Sequence, residues 1–165
     1  MERMDKIIIG ISAAAAACML FGMAVTAKDA DTEIPTEYVQ YCEEAGQAYS
    51  ICPELLMALI EEESGGNPDA VGAAGEIGLM QVYPKYHLER MERLGMRYLF
   101  DPRENVFVAA DYLAELFAEY GDAGTVLMAY NGTKDAAGRG GTGNYTEYAR
   151  RVLKRSAQLE RLHKK

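Results

Sequence analysis

Residues 53–68 read PELLMALIEEESGGNP, and both the fold and the chemistry of the chain turn on them. Pro53 stands where a first helical residue belongs, because a helix start leaves that N–H unpaired in any case. Leu55 to Ile60 continue the helix, and Gly65-Gly66-Asn67-Pro68 stops it. Leu56, Leu59, Ile60 and Glu63 fall at i, i+3, i+4 and i+7, the spacing of a buried helical stripe. At about 100° per residue, Glu61 points nearly the opposite way and Glu62 to the side. Glu63 is then the glutamate carried on the apolar face, in the last turn and beside a loop. A carboxyl desolvated by Leu and Ile holds its proton toward neutral pH, and the negative end of the helix dipole acts in the same direction. Such a group can donate to a glycosidic oxygen. The competing reading makes Glu63 the solvated end of an acidic helix, and spacing alone leaves both open.

Helical patterning extends in both directions. Tyr38, Cys42, Ala45 and Tyr49 recur at helical spacing and predict an amphipathic helix over 36–49. The Gly- and Ala-rich stretch 65–77 reads as loop. A short helix is expected over 78–82, ended by Pro84, and another over roughly 87–94. Asp101-Pro102-Arg103-Glu104 opens the next helix, with Asp as cap, Pro in the first turn and Glu reaching back. Val106, Ala110, Leu113 and Phe117 mark its apolar stripe to about Tyr120. A helix over 124–131 follows, then a Gly-rich loop through Gly143. A last helix from about 145 turns basic near its end, as the helix dipole favours. No stretch alternates with period two, so the expected fold class is all-α, a single domain of about six to seven helices.

Composition narrows the function classes. A net charge of −8 excludes a nucleic-acid binder that works by neutralising phosphates. Tryptophan is absent while tyrosine numbers 11, so a sugar-stacking platform has to be built from tyrosine. Residues 7–27 carry no charge, follow Arg3 and Lys6, and end in Val25-Thr26-Ala27, which resembles a cleavage site. That run is also about the ~20 residues a bilayer span requires. Residues 1–29 are therefore a signal peptide or an uncleaved anchor, residues 30–35 a linker, and the rest of the chain lies outside the cytoplasm either way. Cys18 follows Ala15-Ala16-Ala17, a poor context for lipid attachment. Cys42 and Cys52 remain, as a disulfide suited to an oxidising compartment or as two buried thiols. With no His near them at ligand spacing, no metal site is expected.

Glu63-Ser64, Asn67-Pro68, Gly78-Leu79-Met80-Gln81 and Pro84 together resemble the signature of the soluble lytic transglycosylase family, which has a lysozyme-like fold. Asp101-Pro102, Asn105, Ala109 and Tyr112-Leu113 are similar to that family's middle helix. Ala129-Tyr130-Asn131 resembles its alanine-tyrosine-asparagine motif, and Tyr148 with Val152 its final tyrosine segment. The likeness runs in order over about residues 36–155, within an expected catalytic domain of 36–165. Two departures stand out. Glu76 occupies a position that is usually alanine, as a second carboxylate near the cleft or as an exposed loop residue. Gly132-Thr133-Lys134-Asp135 replaces a proline-containing turn.

The resemblance implies a cleft in which Glu63 is the one catalytic carboxylate. Ser64 is expected to bond nearby backbone or substrate, Met80 and Gln81 to line the cleft, Tyr130 and Asn131 to face Glu63, and Tyr148 to close the far wall. Ordinary glycosidases need two carboxyl groups. The resemblance implies a single-acid scheme on the bond between N-acetylmuramic acid and N-acetylglucosamine. Glu63 protonates the bond, the muramic acetamide assists, and the sugar's own 6-hydroxyl closes a 1,6-anhydro ring. No water, metal or other cofactor enters. Peptidoglycan glycan strands are the expected partner, with the membrane as a second if residues 1–29 stay attached, and a secretion or conjugation machine as a third. The chain is expected to act as a monomer. A muramidase would need a second carboxylate from Glu76, Asp69 or Asp101, of which Asp101 is better explained as a helix cap. A wall-binding or assembly protein without cleavage is the alternative from another class.

Overall fold

The computed structural model describes residues 34–133 and 144–164. The expected signal or anchor segment, most of the linker, and the Gly-rich loop with Lys134 and Asp135 lie outside the described residues. Among the described residues six helices are formed: α1 Thr36–Tyr49, α2 Pro53–Ser64, α3 Pro84–Leu94, α4 Pro102–Tyr120, α5 Ala123–Tyr130 and α6 Glu147–His163. No strand occurs among the described residues, only isolated bridges of Ile77 to Val71 and to Val82. The fold is all-α, as the periodicity implies.

The organising element is α2. Leu55, Leu56, Met57, Ala58, Leu59 and Ile60 are all buried. A helix that is apolar all round belongs in the middle of a core, and α2 packs on both α1 and α6. Around it, α1 meets α4, α4 meets α5, and α5 returns to α6, while α3 leans on α4. The corner from α1 into α2 needs Gly46, because a Cβ there would stand 2.6 Å from the Ile51 carbonyl oxygen. At the other end Gly65 takes a left-handed φ of 61°. The N–H groups of Gly65 and Gly66 close on the carbonyls of Glu61 and Ile60, which frees the chain to turn away immediately after Glu63-Ser64.

The segment over 78–82 is not the expected helix. Ile77 and Val82 exchange backbone hydrogen bonds of 2.9 and 3.0 Å around a tight turn, with Gly78 at φ 78° and Gln81 at φ 48°. Pro84 accordingly opens α3 instead of ending a helix before it. The turn is held by a distant side chain. Asn105 of α4 is completely buried. Its Oδ1 accepts from the Met80 N–H at 2.8 Å, and its Nδ2 donates to the carbonyls of Ile77 and Leu99 at 2.8 Å each. A Cβ at position 78 would fall 2.3 Å from that Nδ2, so the approach requires glycine.

At the start of α4, Asp101 caps the Glu104 N–H at 2.8 Å. Glu104 reaches back as expected, but past the cap, to the N–H groups of Arg97 and Tyr98 at 2.6 Å. No disulfide joins Cys42 and Cys52, so the two-thiol alternative describes this fold. Cys42 is fully buried, and burial, with Glu43 and Glu54 nearby, pushes its thiol up. The Cys52 thiol is turned to the Glu54 carboxylate at 2.8 Å.

Asn105→Ala would orphan one N–H and two carbonyls in a dry site. A loss of about 3 kcal/mol is expected, at roughly 1 kcal/mol for each group left without a partner. Urea unfolding of wild type and variant checks it, and a loss near zero would mean the turn holds itself.

Candidate active site

Helix α2 ends in three consecutive glutamates, and α6 supplies a partner for each. Arg155 meets Glu61 through both nitrogens, with Nη2 at 2.8 Å from Oε1. Arg151 Nε donates to both oxygens of Glu62 at 3.1 and 3.2 Å. Glu63 is met by a neutral phenol, the Tyr148 hydroxyl donating to its Oε1. Positions 148, 151 and 155 are i, i+3 and i+7 on one face of α6. The distinction among the three glutamates is therefore made by their partners. The expected facing does not make it, because α2 is buried on every side through Ile60 and all three glutamates are half-buried.

Burial is the main influence on Glu63 and raises its carboxyl above the usual range. The Tyr148 hydrogen bond pulls the other way, and the charges of Glu62 and Glu76 add to the rise. Burial and the Glu63 charge push the Tyr148 phenol far up, so it stays protonated and serves Glu63 only as a donor. Tyr130 is shifted up too, by burial first and by Glu63 second. Its hydroxyl donates to the Met80 carbonyl at 2.7 Å, which ties α5 to the turn over 77–82.

The other expected site residues divide into two groups. Gln81 stands in the turn and braces it, with Nε2 donating to the Gly78 carbonyl at 2.9 Å. Met80 contributes main chain, bonded to Asn105 and Tyr130, while its side chain is fully buried in the core. Ser64 donates to the Ile60 carbonyl one turn back at 3.3 Å, which directs its hydroxyl along the helix. Asn131 is exposed at the C-terminal cap of α5. Glu76 folds over its own loop, accepting from the Ala74 N–H at 3.0 Å. Gly72 makes room for it, since a Cβ there would lie 2.3 Å from Glu76 Oε2 and 2.8 Å from Gln81 Oε1.

Sequence reasoning on the site missed Arg151, Arg155 and Asn105. The first two were signalled by arginines recurring on α6 in register with a tyrosine, opposite a run of glutamates. Asn105 sat in a helix interior, where asparagine is unfavourable unless its side chain has work elsewhere. Among the described residues, no group of three or more His, Cys, Asp or Glu could hold a metal. The arrangement offers one carboxyl that holds a proton and a phenol that stabilises it once the proton is given up.

Residues 40–154 match the family described as "Transglycosylase SLT domain". The chain is 34% identical over 105 residues to the transglycosylase of Enterobacteria phage PRD1, a match covering 62% of this chain and 38% of that protein. It is 36% identical over 87 residues to the endo-type membrane-bound lytic murein transglycosylase A of Klebsiella pneumoniae, covering 48% of this chain and 43% of that one. In each case the chain spans less than half the relative's length. Among solved structures, an inactive mutant of lytic transglycosylase Slt from Pseudomonas aeruginosa superposes with a TM-score of 0.67 at 18% identity. That match covers 77% of this chain and 24% of the other, and it is a likeness of fold.

The raised Glu63 carboxyl fixes a stability signature. The folded protein keeps this proton through a pH interval in which the unfolded chain has released it. Its contribution is thus complete below the unfolded carboxylate value and is lost as pH rises through the folded one. Glu63→Gln removes the loss. The variant's stability relative to wild type should climb from about pH 4 and level off once pH passes the folded value of Glu63, read by denaturant unfolding across a pH series. Parallel curves for the two proteins would contradict the assignment.

Proposed function

Because the chain belongs to the transglycosylase SLT domain family, we propose that it is a peptidoglycan lytic transglycosylase with Glu63 as its acid and base. The contact that carries the reading is Tyr148 on Glu63, a phenol held protonated against a carboxyl that burial raises above its ordinary value. Both similar proteins cited above are named transglycosylases, one of them a lytic murein enzyme.

In the proposed reaction the Glu63 proton passes to the oxygen linking N-acetylmuramic acid to N-acetylglucosamine, and the C–O bond to the muramic anomeric carbon breaks. The muramic acetamide oxygen supports that carbon. Glu63, now a carboxylate, accepts a hydrogen bond from Tyr148 and takes the proton of the muramic 6-hydroxyl, whose oxygen closes the anhydro ring. Glu63 ends protonated, as it began, and no water is consumed. Tyr130 and Gln81 hold the turn over 77–82 in place beside this carboxyl, with Asn131 on the rim of the same end of α5.

The proposal extends to placement in the cell. Residues 36–165 act on the wall from outside the cytoplasm, delivered by residues 1–29 as a signal peptide or held by them as an anchor. Among the described residues no helix is long and apolar enough to cross a membrane. Such an enzyme suits a machine that needs a local opening in the wall.

The test is mass spectrometry of fragments released from purified peptidoglycan, with Glu63→Gln as control. Products ending in anhydromuramic acid, absent with the variant, are expected. Reducing-end products would make the protein a muramidase, with Glu76 the carboxylate to examine. Wall binding without release would make it non-catalytic.

Tyr148→Phe removes the donor that lowers Glu63, so the Glu63 carboxyl should rise further. The pH at which activity declines on the alkaline side should move upward, with turnover reduced about tenfold as a charge-assisted hydrogen bond is lost. An unchanged pH limb would show that the phenol does not act on Glu63.

A further inference from the structure

Tyr83 and Tyr86, at the start of α3, lie just beyond the turn that carries Met80 and Gln81. Their rings are 5.2 Å apart and tilted by 49°. The Lys85 ammonium stands over both, 5.2 Å from the Tyr83 ring centre and 4.7 Å from that of Tyr86. Tyr86 is 70% exposed, so its ring face is open to a ligand. Lys85 takes part in none of the ion pairs formed among the described residues, although the chain has a net charge of −8.

The pair is tied to the site by the chain itself, since Tyr83 follows Val82, the last residue of the turn over 77–82. Further along α3, His87 lies 4.7 Å from Tyr112. Tyr112 lies 5.8 Å from Tyr130, whose hydroxyl holds the Met80 carbonyl. The start of α3 is therefore joined to that turn by sequence at Tyr83 and by ring contacts from His87 through Tyr112 to Tyr130. In a chain without tryptophan, tyrosine is the side chain that offers a flat face and a polar edge to a pyranose ring.

We propose that Tyr83, Lys85 and Tyr86 form a distal subsite for the wall polymer, the tyrosines stacking on a sugar ring and Lys85 pairing with a stem-peptide carboxylate. The proposal rests on the lytic transglycosylase reading for its substrate. The polymer extends many sugars beyond the bond cleaved, so a site that follows the Gln81 turn directly in the chain is placed to contact the same strand. The unpaired lysine gives an otherwise acidic protein a local attraction for an anionic stem.

Binding is measured with the Glu63→Gln protein, which leaves the polymer uncut, by co-sedimentation with intact wall sacculi and with sacculi whose free stem-peptide carboxylates have been converted to neutral amides, which keeps the cross-links. Tyr86→Ala and Lys85→Gln are added on this background. Both side chains are at the surface, and circular dichroism and thermal melting confirm that the variants fold. Tyr86→Ala should weaken binding to both preparations, by up to about tenfold. Lys85→Gln should weaken binding to intact sacculi and leave binding to the amidated sacculi unchanged. Equal effects of Lys85→Gln on both preparations, or no effect of either substitution, overturn the subsite while leaving the active-site reading in place. Failure of the Glu63→Gln protein to bind sacculi at all removes both.

Discussion

Three carboxyl groups at consecutive positions repel one another, and a half-buried helix end has little water to screen them. The packing of α2 against α6 makes this run tolerable. Two of the three charges are matched by arginine, Glu61 by Arg155 and Glu62 by Arg151, and the third is given a phenol. Matched charges in partly dry surroundings are as much a registration device as a source of stability. They set the rotation and the height of α6 on α2, and so bring Tyr148 to Glu63. What distinguishes Glu63 is a difference in partners along a single helix turn.

The second constraint is the turn over 77–82, which faces that helix end without being regular structure. It has few backbone bonds of its own and depends on Asn105 from below and on the Tyr130 hydroxyl from the side. Glycine at position 78 lets Asn105 approach, and the left-handed Gln81 turns its amide back onto the loop. The site thus lies between one rigid pair of helices and one loop stapled to a third and a fourth. Tyr83 and the exposed Tyr86 follow directly from the end of that loop, and the proposed distal subsite rests on that placement.

Much of this was legible in the sequence. Pro53 and Pro102 mark true helix starts, and the capped opening of α4 is as Asp101 and Glu104 advertise. Pro84 obeys the same rule, although the apolar run before it looks helical in isolation and makes the proline look like a terminator. Its conformation is decided by Asn105, more than twenty residues away, and no local pattern carries that information. The periodicity argument for Glu63 also has a limit in α2. A helix buried on every side presents no single apolar face, so spacing cannot choose among its glutamates. The ordered motifs singled out Glu63, and the contact with Tyr148 supplies the physical reason. Met80 and Ser64 show the reverse: motif residues whose side chains pack or bond within the fold.

The account stands on the protonation of one side chain, and a carbon-13 NMR titration of the Glu63 carboxyl, assigned by comparison with Glu63→Gln, reads it directly. The account predicts a midpoint above the ordinary glutamate range of about 4.3. A midpoint at or below that range would mean that Glu63 enters the reaction as an anion, and it would contradict the assignment of this residue as the proton donor.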